Sequence, residues 1–373
     1  MAAEISPVHR RLGLEVLSRL VFQGYSPGAD EPSADIQTIL ADMQYLSALN
    51  EDGLQEFLDT ANKHHVLVRA LRVVNSAAKR SGDSRIAEWS DSVLRIERER
   101  IRYAVDKLWP ICKALGAAGC TVAVIKSLDH WPDLGSDLDL YTTGDEQRVV
   151  GVMSREFNAS TEERSWGDRL ANKWNFSVPG LPELIEIHIR YLGQTGEHKA
   201  LGRRVVDRSV TRTLNGHTFR VPAPEERIMI STLQRMYRHF YFRLCDMADV
   251  AKLLQENSID FGELRRASLA GGIWPGVATF LLLVSEYVKG YGGEAKVPEE
   301  VLAAACSRDI RVYPGGDFLR VPKGPAAMLY GAQLVSAGRH GDLRAMFRLP
   351  LLPPLAMSAL IAYRVTGSDK GIW

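Results

Sequence analysis

Apolar positions recur with a helical period through the first third of the chain. Ile36, Ile39, Leu40 and Met43 share one face of a segment that starts at Asp35, and Leu54, Phe57, Leu58 and Ala61 repeat the spacing. Leu94, Ile101, Val105 and Leu108 draw one apolar seam along an otherwise Arg/Glu-rich stretch of about twenty residues. Ser6-Pro7 supplies an N-cap and a first-turn proline for an opening helix, the Gly24 to Ser33 stretch has the turn residues of a loop, and Trp109-Pro110 predicts an end or a bend. Residues 1–118 are therefore expected to form a helical N-terminal region.

The period changes at Gly119. Thr121 to Ile125 is a short β-branched run that reads as a buried strand, and both Asp137-Leu138-Asp139-Leu140-Tyr141 and Ile185 to Arg190 alternate apolar with polar, as strands with one face on a core do. Glu146 to Phe157 predicts a helix, Lys173 to Val178 a further strand, and Val210 to Val221 a hairpin that turns at Asn215-Gly216. After Pro222-Ala223-Pro224 one helix is expected from Glu225 to about Glu256, with others over Phe261–Ala270 and Val277–Lys289. The expectation is an α+β protein with a small mixed sheet over residues 119–222, a helical domain over 223–299 and a helical appendage over 300–373.

Composition adds little to this outline and removes several function classes. Across 373 residues, 46 Lys and Arg nearly balance 45 Asp and Glu, which disfavours both a strongly basic nucleic-acid clamp and a disordered acidic scaffold. Cys112, Cys120, Cys245 and Cys306 have neither paired spacing nor a C-x-x-C, so no disulfide framework and no thiolate zinc motif is expected from spacing. The opening residues carry no export signal, and reduced thiols in a cytoplasmic protein are the expectation. Ala267 to Ser285 and Leu349 to Tyr363 are apolar but broken by Gly and Pro, so integral membrane association is not expected, while peripheral contact by the last segment stays open.

The candidate chemistry lies in Lys126-Ser127, then Asp137-Leu138-Asp139, then Glu186 on a later strand. Side chains two apart on a strand share a face, so Asp137 and Asp139 can grip one cation site and Glu186 can complete it from a neighbouring strand. Three converging carboxylates repel one another unless hard cations lie between them, and Mg²⁺ combines carboxylate ligands with substrate phosphates. That is the two-metal arrangement for phosphoryl or nucleotidyl transfer, with Mn²⁺ as an acceptable replacement. A strand-to-helix turn at Ser127 suits the phosphates.

The order VIKS, SDLDLY, IEIHIR, VPAPEE, YRH and DMADVAKLL resembles the DNA polymerase β-type nucleotidyltransferase superfamily, and more narrowly a bacterial group of uncharacterised nucleotidyltransferases, over roughly residues 35–300. The resemblance implies metal binding by Asp137, Asp139 and Glu186 and a phosphate-cradling turn at Lys126 and Ser127. Three departures stand out. Ser127 replaces the glycine usual in the narrower group and Lys126 the glycine usual in the wider one, and the arginine often found shortly before Asp-x-Asp is missing from Pro132 to Ser136.

Other cations are then needed for a triphosphate. Arg235, His239, Arg243 and Asp246 have helical spacing, and they either meet phosphates, with Tyr237 or Tyr241 stacking on a base, or form an ion-paired face in which Arg243 binds Asp246 or Asp249. His188 and Arg190 should share the Glu186 side of their strand, with His188 either serving an acceptor hydroxyl or fixing Glu186 by a hydrogen bond. His64-His65, His198 and His217 read as surface or core histidines, and Trp131 and Trp166 as packing residues or pocket walls. The expected activity is Mg²⁺-dependent transfer of a nucleoside monophosphate from an NTP to an acceptor hydroxyl or phosphate, on a small molecule or protein in preference to nucleic acid. A catalytically silent nucleotide-sensing or protein-binding module, and a metal-dependent phosphotransferase, are the alternatives.

Overall fold

The computed structural model describes residues 7–23, 39–256 and 258–366; the predicted loop over 24–33 and the start of the predicted helix at Asp35 lie outside the described residues. Five helices come first: α1 (Pro7–Phe22), α2 (Leu40–Ala48), α3 (Glu51–Lys63), α4 (Leu67–Ser81) and α5 (Ser84–Ala117). The apolar seam of α5 is longer than its sequence suggested. It runs from Ile86 through Leu94, Ile101, Val105 and Leu108 to Leu115, and the helix passes through Pro110 without ending.

The central sheet contains β1 (Val122–Val124), β2 (Asp137–Thr142), β3 (Ser160–Thr161), β4 (Lys173–Ser177) and β5 (Leu184–Ile189), in the order β1-β2-β5-β4-β3. Helices α6 (Glu146–Phe157) and α7 (Trp166–Ala171) lie between its strands in sequence. β2 and β5 are parallel neighbours and the other pairs are antiparallel, so the fold is α+β with a small mixed sheet. Leu138, Leu140, Ile185 and Ile187 are fully buried on one face of β2 and β5, which leaves the alternate positions, acids included, for the other face.

Helix α8 (Lys199–Asp207) leads to a separate hairpin, β6 (Ser209–Leu214) and β7 (His217–Pro222). Its turn is the predicted Asn215-Gly216, with φ of 50° and 77°, the left-handed pair that a two-residue hairpin turn requires. Helices α9 (Pro224–Gln234), α10 (Leu244–Gln255), α11 (Phe261–Ala270), α12 (Trp274–Gly290) and α13 (Glu299–Leu302) follow, then a second hairpin and α14 (Lys323–Arg339), α15 (Leu343–Arg348) and α16 (Leu352–Thr366).

Two expectations need correction here. The single helix over 225–256 is interrupted: Arg235–His239 is a wide π-type turn, Phe240 is left-handed at φ 55°, and Tyr241–Phe242 forms strand β8. The C-terminal segment is not wholly helical, because β9 (Tyr313–Gly315) and β10 (Phe318–Arg320) form a hairpin whose Leu319 pairs with Phe242 of β8. This long-range pairing overrides the helical pattern of the 235–243 stretch, which local periodicity cannot register. One contiguous apolar core extends from Leu14 to Leu329, with a small satellite at Ala337, Ala345, Leu349 and Leu352. Among the described residues, no helix is long and apolar enough to cross a membrane.

His64 fastens the second hairpin to the helices. Its Nδ1 accepts from the Leu244 N–H at 3.1 Å and its Nε2 donates to the Asp317 carbonyl at 2.8 Å, which fixes a neutral tautomer. Burial, reinforced by Arg243, lowers its pKa from 6.5 to about 4. The unfolded chain therefore takes up a proton that the native one refuses as pH falls from 6.5 toward 4. Stability is expected to fall by ~3 kcal/mol over that window. Urea unfolding at pH 7 and near pH 4, with His64→Gln removing this part of the slope, checks the assignment.

Candidate functional site

The site begins where β1 ends. The Ile125 N–H donates to the Asp139 carbonyl at 2.9 Å, and the chain then reverses within one residue. Lys126 has φ 57° and ψ −64°, and the Ser127 N–H donates back to the Ile125 carbonyl, a γ-turn. Such a conformation costs a non-glycine residue about 1–3 kcal/mol and persists only where its surroundings enforce it. Ser127 is the enforcing group: its hydroxyl accepts from the Asp139 N–H at 2.8 Å and donates to the Asp137 carbonyl at 3.0 Å. That hydroxyl is committed to the backbone, and the expected phosphate contact through it is replaced by a staple between turn and strand.

Parallel pairing then aligns the acids. Asp139 is the register partner of Glu186, with Asp137 one pleat outward beside Leu184 and His188 one pleat inward beside Tyr141. Lys126 extends its ammonium back to a close ion pair with Asp139 and stands 3.7 Å from Glu186 Oε1. Lys173 on β4 contacts Glu186 Oε2 at 2.9 Å and Asp168 at 2.8 Å. His188 Nε2 lies 2.8 Å from Glu186 Oε1 and 3.5 Å from Asp139 Oδ1.

These partners divide the work among the carboxylates. Burial by itself would raise the Glu186 pKa, but Lys126, the His188 hydrogen bond and Lys173 outweigh it and hold the group well below the usual carboxylate range. Asp137 goes the other way. Burial and the charges of Asp139 and Glu186 raise it, and Lys126 offsets them only in part. Glu186 is thus a firmly ionised anchor, while Asp137, exposed at the strand end, is a carboxylate short of cations.

A cavity of about 190 Å³ opens over these groups, with Lys126, Asp137, Asp139 and Glu186 on one wall. The rest of the lining includes Gln234, Arg235, Arg238, His239, Tyr241 and Arg243, drawn from the end of α9, the π-type turn, β8 and the N-cap of α10. The interruption of the expected helix is what folds Arg235, His239 and Arg243 onto one surface. Arg235 pairs with Asp246 at 2.7 Å, while its Nη1 and the Arg243 Nε are buried without a hydrogen-bond partner. Burial and the surrounding Arg238, Arg235, Lys126 and Arg243 push the His239 pKa well down, so its ring faces the cavity neutral.

Compared with protein-family models, curated proteins and solved structures, the chain matched none. The functional reading consequently rests on geometry.

Several predicted positions move. Arg190 leaves the strand at φ 69°, bonds the Gly144 carbonyl at 3.1 Å and approaches Asp145 at 3.6 Å, so it does not join Glu186 and His188. Arg243 contacts neither alternative acid with its side chain in the expected helix-face pairing. Asp246 goes to Arg235 and Asp249 to Arg69. Tyr237 is core, packed where a Cβ on Gly276 would stand 2.3 Å from its hydroxyl, and only Tyr241 reaches the cavity. Trp131 lines a different cleft, and Trp166 is 64% exposed. His198 and His217 are engaged by Gln333 and Asp106.

Sequence reasoning missed Lys173, Asp168, Arg238 and His65. Lys173 has a detectable signal only once β4 is paired with β5, since it then sits opposite His188. Asp139, Glu186 and His188 offer ligand atoms within 4.8 Å of one another, a set of hard oxygen donors with one imidazole that fits a divalent cation once Lys126 moves aside.

Proposed function

We propose that the chain is a Mg²⁺-dependent nucleotidyltransferase that moves a nucleoside monophosphate from an NTP to an acceptor hydroxyl. The observation that carries this reading is the register pairing of Asp139 with Glu186, with the exposed Asp137 beside them on the cavity wall and guanidinium nitrogens of Arg235 and Arg243 that have no hydrogen-bond partner on the same cavity. Asp137, Asp139 and Glu186 are the residues to hold Mg²⁺, which when bound shields the phosphate charge and polarises the reacting phosphoryl group. Arg235, Arg238 and Arg243 take the β- and γ-phosphates and Tyr241 offers a stacking face for the base.

Lys126, ion-paired with Asp139 and 3.7 Å from Glu186, is placed to turn its ammonium to the phosphate tail of a bound metal-nucleotide. His188 holds Glu186 in place by its hydrogen bond and Lys173 does so from the other oxygen, so the acid keeps its orientation as the charge beside it changes. The acceptor oxygen attacks the α-phosphorus, its proton passes to solvent or to an adjacent carboxylate, and pyrophosphate departs.

A second reading draws on specific contacts. With Lys126 closed on the acids and the Ser127 hydroxyl and N–H bonded internally, a nucleotide-sensing module that never turns over also fits. Incubation with each NTP, Mg²⁺ and a pool of small-molecule and protein acceptors separates the readings. Pyrophosphate release with a nucleotidyl mass added to an acceptor is expected. A phosphoryl mass supports the phosphotransferase, binding without release supports the sensor, and no nucleotide binding overturns all three.

A further inference from the structure

Beside the carboxylate wall the cavity meets a second group of ligating side chains that the proposed reaction does not use. His65, from the turn after α3, and His130, from the 3-10 turn after Lys126, both line the cavity, and Cys245 of α10 lies behind them. One ring nitrogen of each imidazole and the thiol sulfur fall within 4.8 Å of one another. Around a tetrahedral Zn²⁺ with bonds of 2.0–2.3 Å the ligand atoms stand ~3.3–3.8 Å apart, so closure by about an ångström of side-chain movement forms the site.

Four further features support a cluster built around its donors. His130 Nε2 is turned toward Cys245 Sγ at 3.9 Å, while its Nδ1 is held by Asp249 Oδ2 at 2.5 Å. That is the carboxylate-imidazole support that fixes a ligating nitrogen, and Asp249 is itself held by Arg69 at 2.6 Å. His65 occupies a position of φ 51°, a conformation that after a helix end usually goes to glycine. Its Nδ1 is buried with no hydrogen-bond partner. Its ring is seated against Gly135, where a Cβ would lie 2.6 Å from the His65 ring carbon Cε1. A strained backbone, a neighbour kept small and a buried nitrogen with nothing to bond are hard to reconcile with a packing role alone.

We propose that His65, His130 and Cys245 bind a Zn²⁺ ion, with Asp249 orienting His130 and the fourth coordination position open to the cavity. Two imidazoles and a thiolate are a soft nitrogen-sulfur set that selects Zn²⁺ over the Mg²⁺ suited to the carboxylates across the cavity. On binding, the Cys245 thiol and the His130 Nε2–H, the latter on an imidazole that Asp249 holds charged, release their protons to solvent as the sulfur-metal and nitrogen-metal bonds form, with no change of oxidation state. Spacing along the chain carries no hint of this site, because each ligand comes from a different element and they meet only in the fold.

Chelator-treated protein titrated with Co²⁺, without nucleotide, tests the assignment by absorbance. One equivalent is expected to produce a thiolate-to-cobalt charge-transfer band and tetrahedral visible bands that Zn²⁺ bleaches, separate from any Co²⁺ taken up by the carboxylates. Cys245→Ser should abolish the charge-transfer band with the far-ultraviolet dichroism retained, and His65→Gln should weaken Co²⁺ binding by more than about tenfold, the least seen when even a supporting residue is lost. His65→Gln lies at the cavity rim and keeps the test decisive if Cys245→Ser does not fold. Asp139→Asn should leave the spectrum unchanged, which separates this site from the carboxylate one. Absence of the charge-transfer band in the unmodified chain, or its survival in Cys245→Ser, overturns the proposal.

Discussion

Asp139→Asn is expected to lower nucleotidyl transfer by about three orders of magnitude while the protein stays folded, because a lost metal contact removes several kcal/mol of transition-state stabilisation. Asparagine keeps the size of the side chain, and the backbone N–H that Ser127 accepts is untouched, so the turn at Lys126 survives. What disappears is the charge that pairs with Lys126 and that the proposed divalent ion would need at the centre of the acid row. Glu186→Gln should be equally inactive but less stable, since it leaves Lys173 buried with Asp168 alone. Pyrophosphate release measured beside urea unfolding for the two variants gives the contrast: equal loss of rate, unequal loss of stability. Undiminished release from Asp139→Asn would remove the metal role from this row of acids.

The elements that positioned the acids were legible in the sequence because they obey local rules. Alternation placed β2 and β5, the Asn-Gly pair placed the β6-β7 turn, and α6 spans the Glu146 to Phe157 stretch expected of it. The convergence of Glu186 on Asp139 followed from the pleat once the two strands are neighbours, though no local signal says that they pair in parallel register. What escaped was non-local. The break at 235–243 depends on a hairpin more than seventy residues downstream, and the helical spacing of Arg235, His239 and Arg243 was right about a shared surface for the wrong reason. Arg190 failed because it is itself left-handed, at φ 69°, and so leaves the strand after Ile189 instead of joining the row. The Lys126 turn was read as a phosphate cradle from residue type, yet its hydroxyl and N–H are consumed by the turn itself.

Arg69→Met should destabilise the protein by about 3–5 kcal/mol, a large share of the ~5–15 kcal/mol that ordinarily separates folded from unfolded chains. Arg69 is 1% exposed and joins three parts of the fold. Its Nη2 donates to Asp249 at 2.6 Å and to the carbonyls of His130 and Trp131 at 3.0 and 3.2 Å, and its Nε stands 3.6 Å from Asp133. Methionine fills similar space but removes the cation that two buried carboxylates share. Asp133 retains the Val68 N–H at 2.6 Å, and Asp249 retains His130. Burial already raises the Asp133 pKa to about 7, so this carboxylate is the one expected to take up a proton when Arg69 is gone. Because a buried pair costs nearly as much to desolvate as it returns, Arg69→Met combined with Asp249→Leu should recover part of the loss. A double-mutant cycle by urea unfolding measures that coupling, with additive losses counting against the pairing. The same substitution loosens Asp249 behind His130, so it should weaken Co²⁺ binding at the histidine-cysteine cluster more than magnesium-nucleotide binding at the acids, which links the stability of the fold to one wall of the cavity and not the other.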